Sequence, residues 1–97
     1  LPEAFNLSAT NYENLKVIKL SNTSQDLIKM INFSNLFNLE ELDLSFNNLS
    51  LINFNHSNFQ LKNLKILNLA YTNINYSIEK TLLDCFELKS INLNGIK

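Results

Sequence analysis

Four segments of the chain share one spacing of apolar residues, and their starts fall 24, 25 and 24 residues apart. Leu15-Ile18-Leu20, Leu39-Leu42-Leu44, Leu64-Leu67-Leu69 and Leu88-Ile91-Leu93 each follow the pattern LxxLxL, with isoleucine standing in for the middle leucine twice. A period of this length points to a repeat architecture. A single unit cannot bury its apolar face alone, so each must stack on the next. Alternation inside each segment predicts a short strand whose second and third apolar residues turn inward while the residues between them turn outward.

The register runs beyond those six positions. Leu49 and Ile74 match at a later offset, as do Ile28 and Ile52, and the stretch from Leu39 to Leu49 completes LxxLxLxxNxL with Asn47 in the amide position. Before the next unit's first leucine, Phe33 and Leu36 fill two more apolar positions, Leu61 (with Phe59 displaced by one) fills the next unit's, and Leu82 and Cys85 precede Leu88. On these residues the chain resembles the leucine-rich repeat family, in its typical 24-residue class. That resemblance implies an α/β repeat fold, a curved solenoid with short parallel strands on its concave face and irregular or short helical segments on its convex face. The units run over about 1–14 (partial), 15–38, 39–63, 64–87 and 88–97 (partial), all within one domain.

The tight bend after each strand leaves backbone groups to satisfy, and a stacked Asn side chain both donates and accepts. Only Asn47 is Asn at that position; Thr23, Thr72 and Ile96 stand there in the other units, and looser bends are expected at those three. The chain starts in mid-repeat and stops just after a strand, without a polar capping unit. A solenoid end of that kind meets water with an apolar cross-section. The expectation is a fragment of a longer array, or a chain whose ends are covered by self-association or a capping partner.

In the family that the chain resembles, ligands lie against the concave sheet, where equivalent residues of successive strands form columns. The columns are Lys16, Glu40, Lys65, Lys89; Val17, Glu41, Ile66, Ser90; Lys19, Asp43, Asn68, Asn92; Ser21, Ser45, Ala70, Asn94; and Asn22, Phe46, Tyr71, Gly95. Glu40, Glu41 and Asp43 form an acidic strand able to attract a basic ligand, although Lys16, Lys19 and Lys65 flank it and cross-strand pairing would neutralise it. Phe46 and Tyr71 are the foremost contact candidates, because aromatic residues are common anchors of interfaces; the competing reading folds both rings back against their neighbours. Lys19, Glu41, Asp43, Ile66 and Asn68 complete the candidate surface.

Composition narrows the function. A formal charge of −1 and the lack of any basic run give no pull toward nucleic acid or anionic lipid. No apolar stretch approaches the roughly 18 residues of a membrane helix, and the first residues lack the pattern of a signal peptide. Cys85 is the single cysteine, so the sequence holds no internal disulfide and no cysteine cluster for zinc, and its leucine position predicts a buried, inert thiol. His56 lies in a polar loop without a nucleophile or carboxylate at a recognisable spacing. No phosphate loop, metalloprotease or hydrolase motif occurs. No enzyme activity, cofactor or metal is expected.

Asn-x-Ser/Thr sequons occur at Asn6, Asn22, Asn32, Asn48, Asn55 and Asn75, at positions the register turns outward or into bends, which suits a secreted glycoprotein. Part of that number follows from an unusual asparagine content, 18 residues. The resemblance and the sequons together suggest a protein- or peptide-binding module of an extracellular receptor or secreted protein, as in Toll-like and related repeat proteins of immunity. The alternative is a cytoplasmic adaptor, such as an F-box-type substrate receptor or signalling scaffold. It is suggested by a possible convex helix over 77–85 and by Thr81 to Ile91, which looks like the cysteine-containing repeats of such proteins.

Overall fold

The computed structural model describes residues 15–23, 28, 38–50, 61–74, 82 and 85–96. Expectations for residues 1–14, for Phe33, Leu36, Ile52, His56 and Phe59, and for the sequons at Asn6, Asn32, Asn55 and Asn75 fall outside them.

The described residues form four three-residue strands, β1 (Val17–Lys19), β2 (Glu41–Asp43), β3 (Ile66–Asn68) and β4 (Ser90–Asn92). They make one parallel sheet in the order β1-β2-β3-β4. Its register is the register of the sequence repeat: Ile18 pairs with Leu42, Leu42 with Leu67, and Leu67 with Ile91. Three residues are too few to hold a strand by themselves, and the backbone ladder continues past both ends. Lys16 O accepts from the N–H groups of both Glu40 and Glu41, Glu40 O from Lys65 and Ile66, and Lys65 O from Lys89 and Ser90. At the other end Leu20, Leu44 and Leu69 donate to Asp43, Asn68 and Asn92.

Behind the sheet lies one apolar layer. Leu39, Leu42, Leu44, Leu49, Leu61, Leu64 and Leu69 are fully buried or within 1% of it, and Ile18, Leu20, Ile28, Leu67, Ile74 and Cys85 join the same cluster. The residue between two outward-facing ones in each strand therefore enters the layer, as the alternation requires. Strand β4 is the exception, since all three of its residues are exposed. Ile91 pairs with Leu67 yet stays 38% exposed, and Leu93 and Phe86 are more open still. Among the described residues no fifth strand flanks β4 on its far side.

The approach to each strand is a tight turn. Leu64 N–H donates to Leu61 O, Cys85 to Leu82 O and Leu88 to Cys85 O, each at 3.1 Å. This puts Leu61 and Cys85 into the layer, as their apolar positions led one to expect. Of the helix expected over 77–85, the structure describes Leu82, which is helical, and Cys85, a buried thiol that lies outside any helix.

Candidate functional site

Every strand runs into a bend, and every bend contains one residue in the left-handed backbone region. These are Asn22 (φ 53°), Phe46 (φ 56°), Tyr71 (φ 56°) and Gly95 (φ 75°), which together make up one column of the repeat. The ladder imposes this conformation. Asn22, Phe46 and Tyr71 donate their N–H groups to Ser45 O, Ala70 O and Asn94 O of the following unit at 3.0, 2.9 and 2.7 Å. Asn and Gly tolerate positive φ well, whereas bulky side chains adopt it rarely.

Asn47 fixes the best-made of these bends. Its Nδ2 donates to Leu20 O, Leu44 O and Ser45 O within 2.9 Å, and its Oδ1 accepts the Thr23 N–H, so one buried amide ties two units together. The looser bend expected at Thr72 does not appear. Thr72 is buried, its hydroxyl donates to Leu69 O at 2.8 Å, and Asn73 next to it accepts the Leu49 N–H at 2.8 Å. These two side chains make two bonds where Asn47 makes four, yet φ of the residue before is the same, 56° at Phe46 and at Tyr71.

The outward columns hold the residues expected to make contacts. Lys19 Nζ lies 3.7 Å from Glu41, while Glu40 lies between Lys16 at 4.0 Å and Lys65 at 3.4 Å. The acidic strand is thus flanked by cations on its own sheet. Asp43 accepts the N–H and the hydroxyl of Ser45 through one oxygen, at 2.9 and 2.6 Å. Asn68 and Asn92 accept the N–H groups of Ala70 and Asn94 in the same way, each at 3.0 Å. This column turns the chain into its bends, and only Lys19 departs from it, taking Glu41 as its partner. Ile66 pairs beside Glu41 and is 43% exposed, with Val17 on the other side at 49%. Val17 is an outward apolar residue that residue type alone did not single out.

Phe46 and Tyr71 combine both readings offered for them. Their rings stack with centroids 4.9 Å apart and planes 16° from parallel, and yet they stay 57% and 58% exposed. Beyond Tyr71, the ring occupies the space of any side chain at position 95: a Cβ there would lie 2.5 Å from Tyr71 Cδ1. An open groove of about 760 Å³ runs along this rim, lined among others by Asn22, Phe46, Asn48, Tyr71, Asn73 and Gly95. Asn22 and Asn48 enter the sequence reading as sequons, Asn22 also in an outward column, whereas Asn73 is not singled out there; it follows its LxxLxL segment at the same offset as Asn48.

Among the described residues no cluster of His, Cys, Asp and Glu is arranged to hold a metal ion. No helix among them is long and apolar enough to cross a membrane. No protein-family model, no curated protein and no solved structure matches this chain.

Proposed function

We propose that the chain is a stretch of a leucine-rich repeat solenoid of the 24-residue class and that it binds a protein or peptide ligand through its open sheet face and the aromatic rim. The repeat period supports the first part, together with the parallel pairing of equivalent residues from successive units. The curvature expected of such solenoids would make the outward columns a concave surface. The sequons, two of them on the described rim, favour an extracellular or cell-surface parent.

One observation carries the binding reading: two large aromatic side chains are held exposed at positive φ. A left-handed non-glycine residue costs on the order of 1–3 kcal/mol, while an aromatic pair returns about 0.5–1.5 kcal/mol. For stability alone, Asn or Gly would serve both bends, as they do at Asn22 and Gly95. Exposed rings kept against that cost fit a contact surface, where rigid aromatics anchor partners. Val17 and Ile66 extend the apolar area onto the sheet, and the Lys19–Glu41 pair supplies polar contacts at its border.

The test is recovery of ligand from conditioned medium on the immobilised chain, followed by affinity measurement with the purified partner. Phe46→Gly with Tyr71→Gly is expected to lower affinity at least tenfold, with Lys62→Ala, distant from the rim in the repeat register, unchanged. Equal binding by the double variant would remove the rim from the interface.

A further inference from the structure

Two of the sequons lie on the described rim, and they are not equivalent. Asn48 begins the sequon Asn48-Leu49-Ser50, all of it described, with Asn48 and Ser50 exposed and Leu49 buried between them. Its Oδ1 accepts the Ser50 N–H at 3.1 Å. The amide oxygen is thereby turned toward the chain, leaving Nδ2 as the outward end of the group. Two residues earlier stands Phe46, exposed, on the same groove as Asn48. At this distance before the other five sequon asparagines stand Ala4, Leu20, Met30, Asn53 and Asn73, none of them aromatic.

We propose that Asn48 carries an N-linked glycan whose first N-acetylglucosamine packs on the ring of Phe46. The inference rests on the extracellular reading above, because the sugar donor is a lipid-pyrophosphate-linked oligosaccharide of the secretory route. Nδ2 of Asn48 forms the bond to the anomeric carbon as that carbon's bond to the pyrophosphate oxygen breaks. The lipid pyrophosphate leaves with the electron pair, and the amide gives up one proton to the transferase's base. Leu49 is fully buried after folding, so the transfer precedes closure of this bend.

The packing follows from complementary surfaces. One face of a pyranose presents a patch of C–H groups, slightly positive, and the face of an aromatic ring is negative. Tyr71 occupies one face of Phe46 by stacking, which leaves the face toward β1 for the sugar. The left-handed backbone of Phe46 then has a second use, as the posture that holds the ring out beside Asn48. It also divides the rim: the glycan covers the β1 side of Phe46, and a ligand reaches the stack from Tyr71 and the sheet face.

The experiment is secretion of the full chain from cultured animal cells, with site-resolved occupancy by peptide mass spectrometry. The glycan is then trimmed enzymatically to a single sugar for NMR. High occupancy is expected at Asn48, with the ring protons of its N-acetylglucosamine shifted upfield and that shift lost in Phe46→Gly but kept in Phe46→Tyr. Glycine suits the backbone at this position, so the first variant retains the fold. An unmodified Asn48 beside an occupied sequon elsewhere overturns the proposal while leaving the extracellular reading intact. A sugar whose shifts are identical in wild type and Phe46→Gly overturns the packing. Absence of glycan at all six sequons overturns both the proposal and the extracellular reading.

Discussion

Phe46 and Tyr71 stack at a centroid separation of 4.9 Å, close to the spacing of about 4.8 Å between hydrogen-bonded strands. The two rings are thus a continuation of the sheet in side chains. Each is mounted on a bend whose N–H is held by the following unit, and both rings repeat the translation of the backbone beneath them. The pair is rigid because the ladder is.

Asn47 closes the bend that carries Phe46, and its removal takes a partner from Leu20 O, Leu44 O and the Thr23 N–H, while Ser45 O keeps the Asn22 N–H. Asn47→Ala is expected to destabilise the chain by on the order of 3 kcal/mol, measured by urea denaturation, given roughly 1–3 kcal/mol per stranded buried group and partial access of water. Asn47→Asp keeps an acceptor for Thr23 and sets a carboxylate against three carbonyls, so it is expected to be at least as damaging. A loss under half a kcal/mol for Ala would show that the amide does not join the units.

Gly95 lies under Tyr71 at φ 75°, and both facts oppose a side chain there. Gly95→Ala is expected to cost about 1–2 kcal/mol, from left-handed strain and displacement of the Tyr71 ring. Thermal melting gives the first quantity, and the near-ultraviolet dichroism of Tyr71, read in a background with Tyr12 and Tyr76 replaced by Phe, reports the second. An unaltered tyrosine signal would contradict the contact.

How far the sequence foretold this arrangement differs from column to column. Leucine spacing was sufficient for the pairing of Ile18, Leu42 and Leu67, because a one-residue slip would expose all three, and Ile91 follows in the same register. The task of Asn47 was legible for a related reason: a bend with buried carbonyls needs donors. Asp43 and Asn68 were read as contact residues, and residue type alone does not reveal that their oxygens accept the N–H two residues on. The left-handed conformation of Phe46 and Tyr71 was also hidden, since neither residue type advertises positive φ. Asn22 and Gly95 in the same column carried that signal. At Thr72 the single hydroxyl makes one bond as its residue type implies, and the backbone keeps the same φ at Tyr71 with Asn73 accepting the Leu49 N–H.

Glu40 stands between Lys16 and Lys65 on the outward face, with its side chain 38% exposed. Glu40→Gln is expected to lower stability by under about 1 kcal/mol at low ionic strength. The difference should disappear in 1 M salt, where screening acts within about 3 Å. A loss that persisted in salt would mean that Glu40 acts through something other than charge.

Phe46 and Tyr71 are proposed to be held at positive φ for contact, against the preference of the backbone. Comparison of Phe46→Ala with Phe46→Gly by denaturant unfolding tests this most directly, because both remove the ring and only alanine keeps the left-handed strain. At an ordinary position glycine is the less stable of the two by about 0.5–1 kcal/mol. Here the glycine variant is expected to be the more stable by about 1 kcal/mol, while both variants lose ligand affinity. An alanine variant at least as stable as the glycine one would show that Phe46 is not strained, and the case for a rim maintained for recognition would fail.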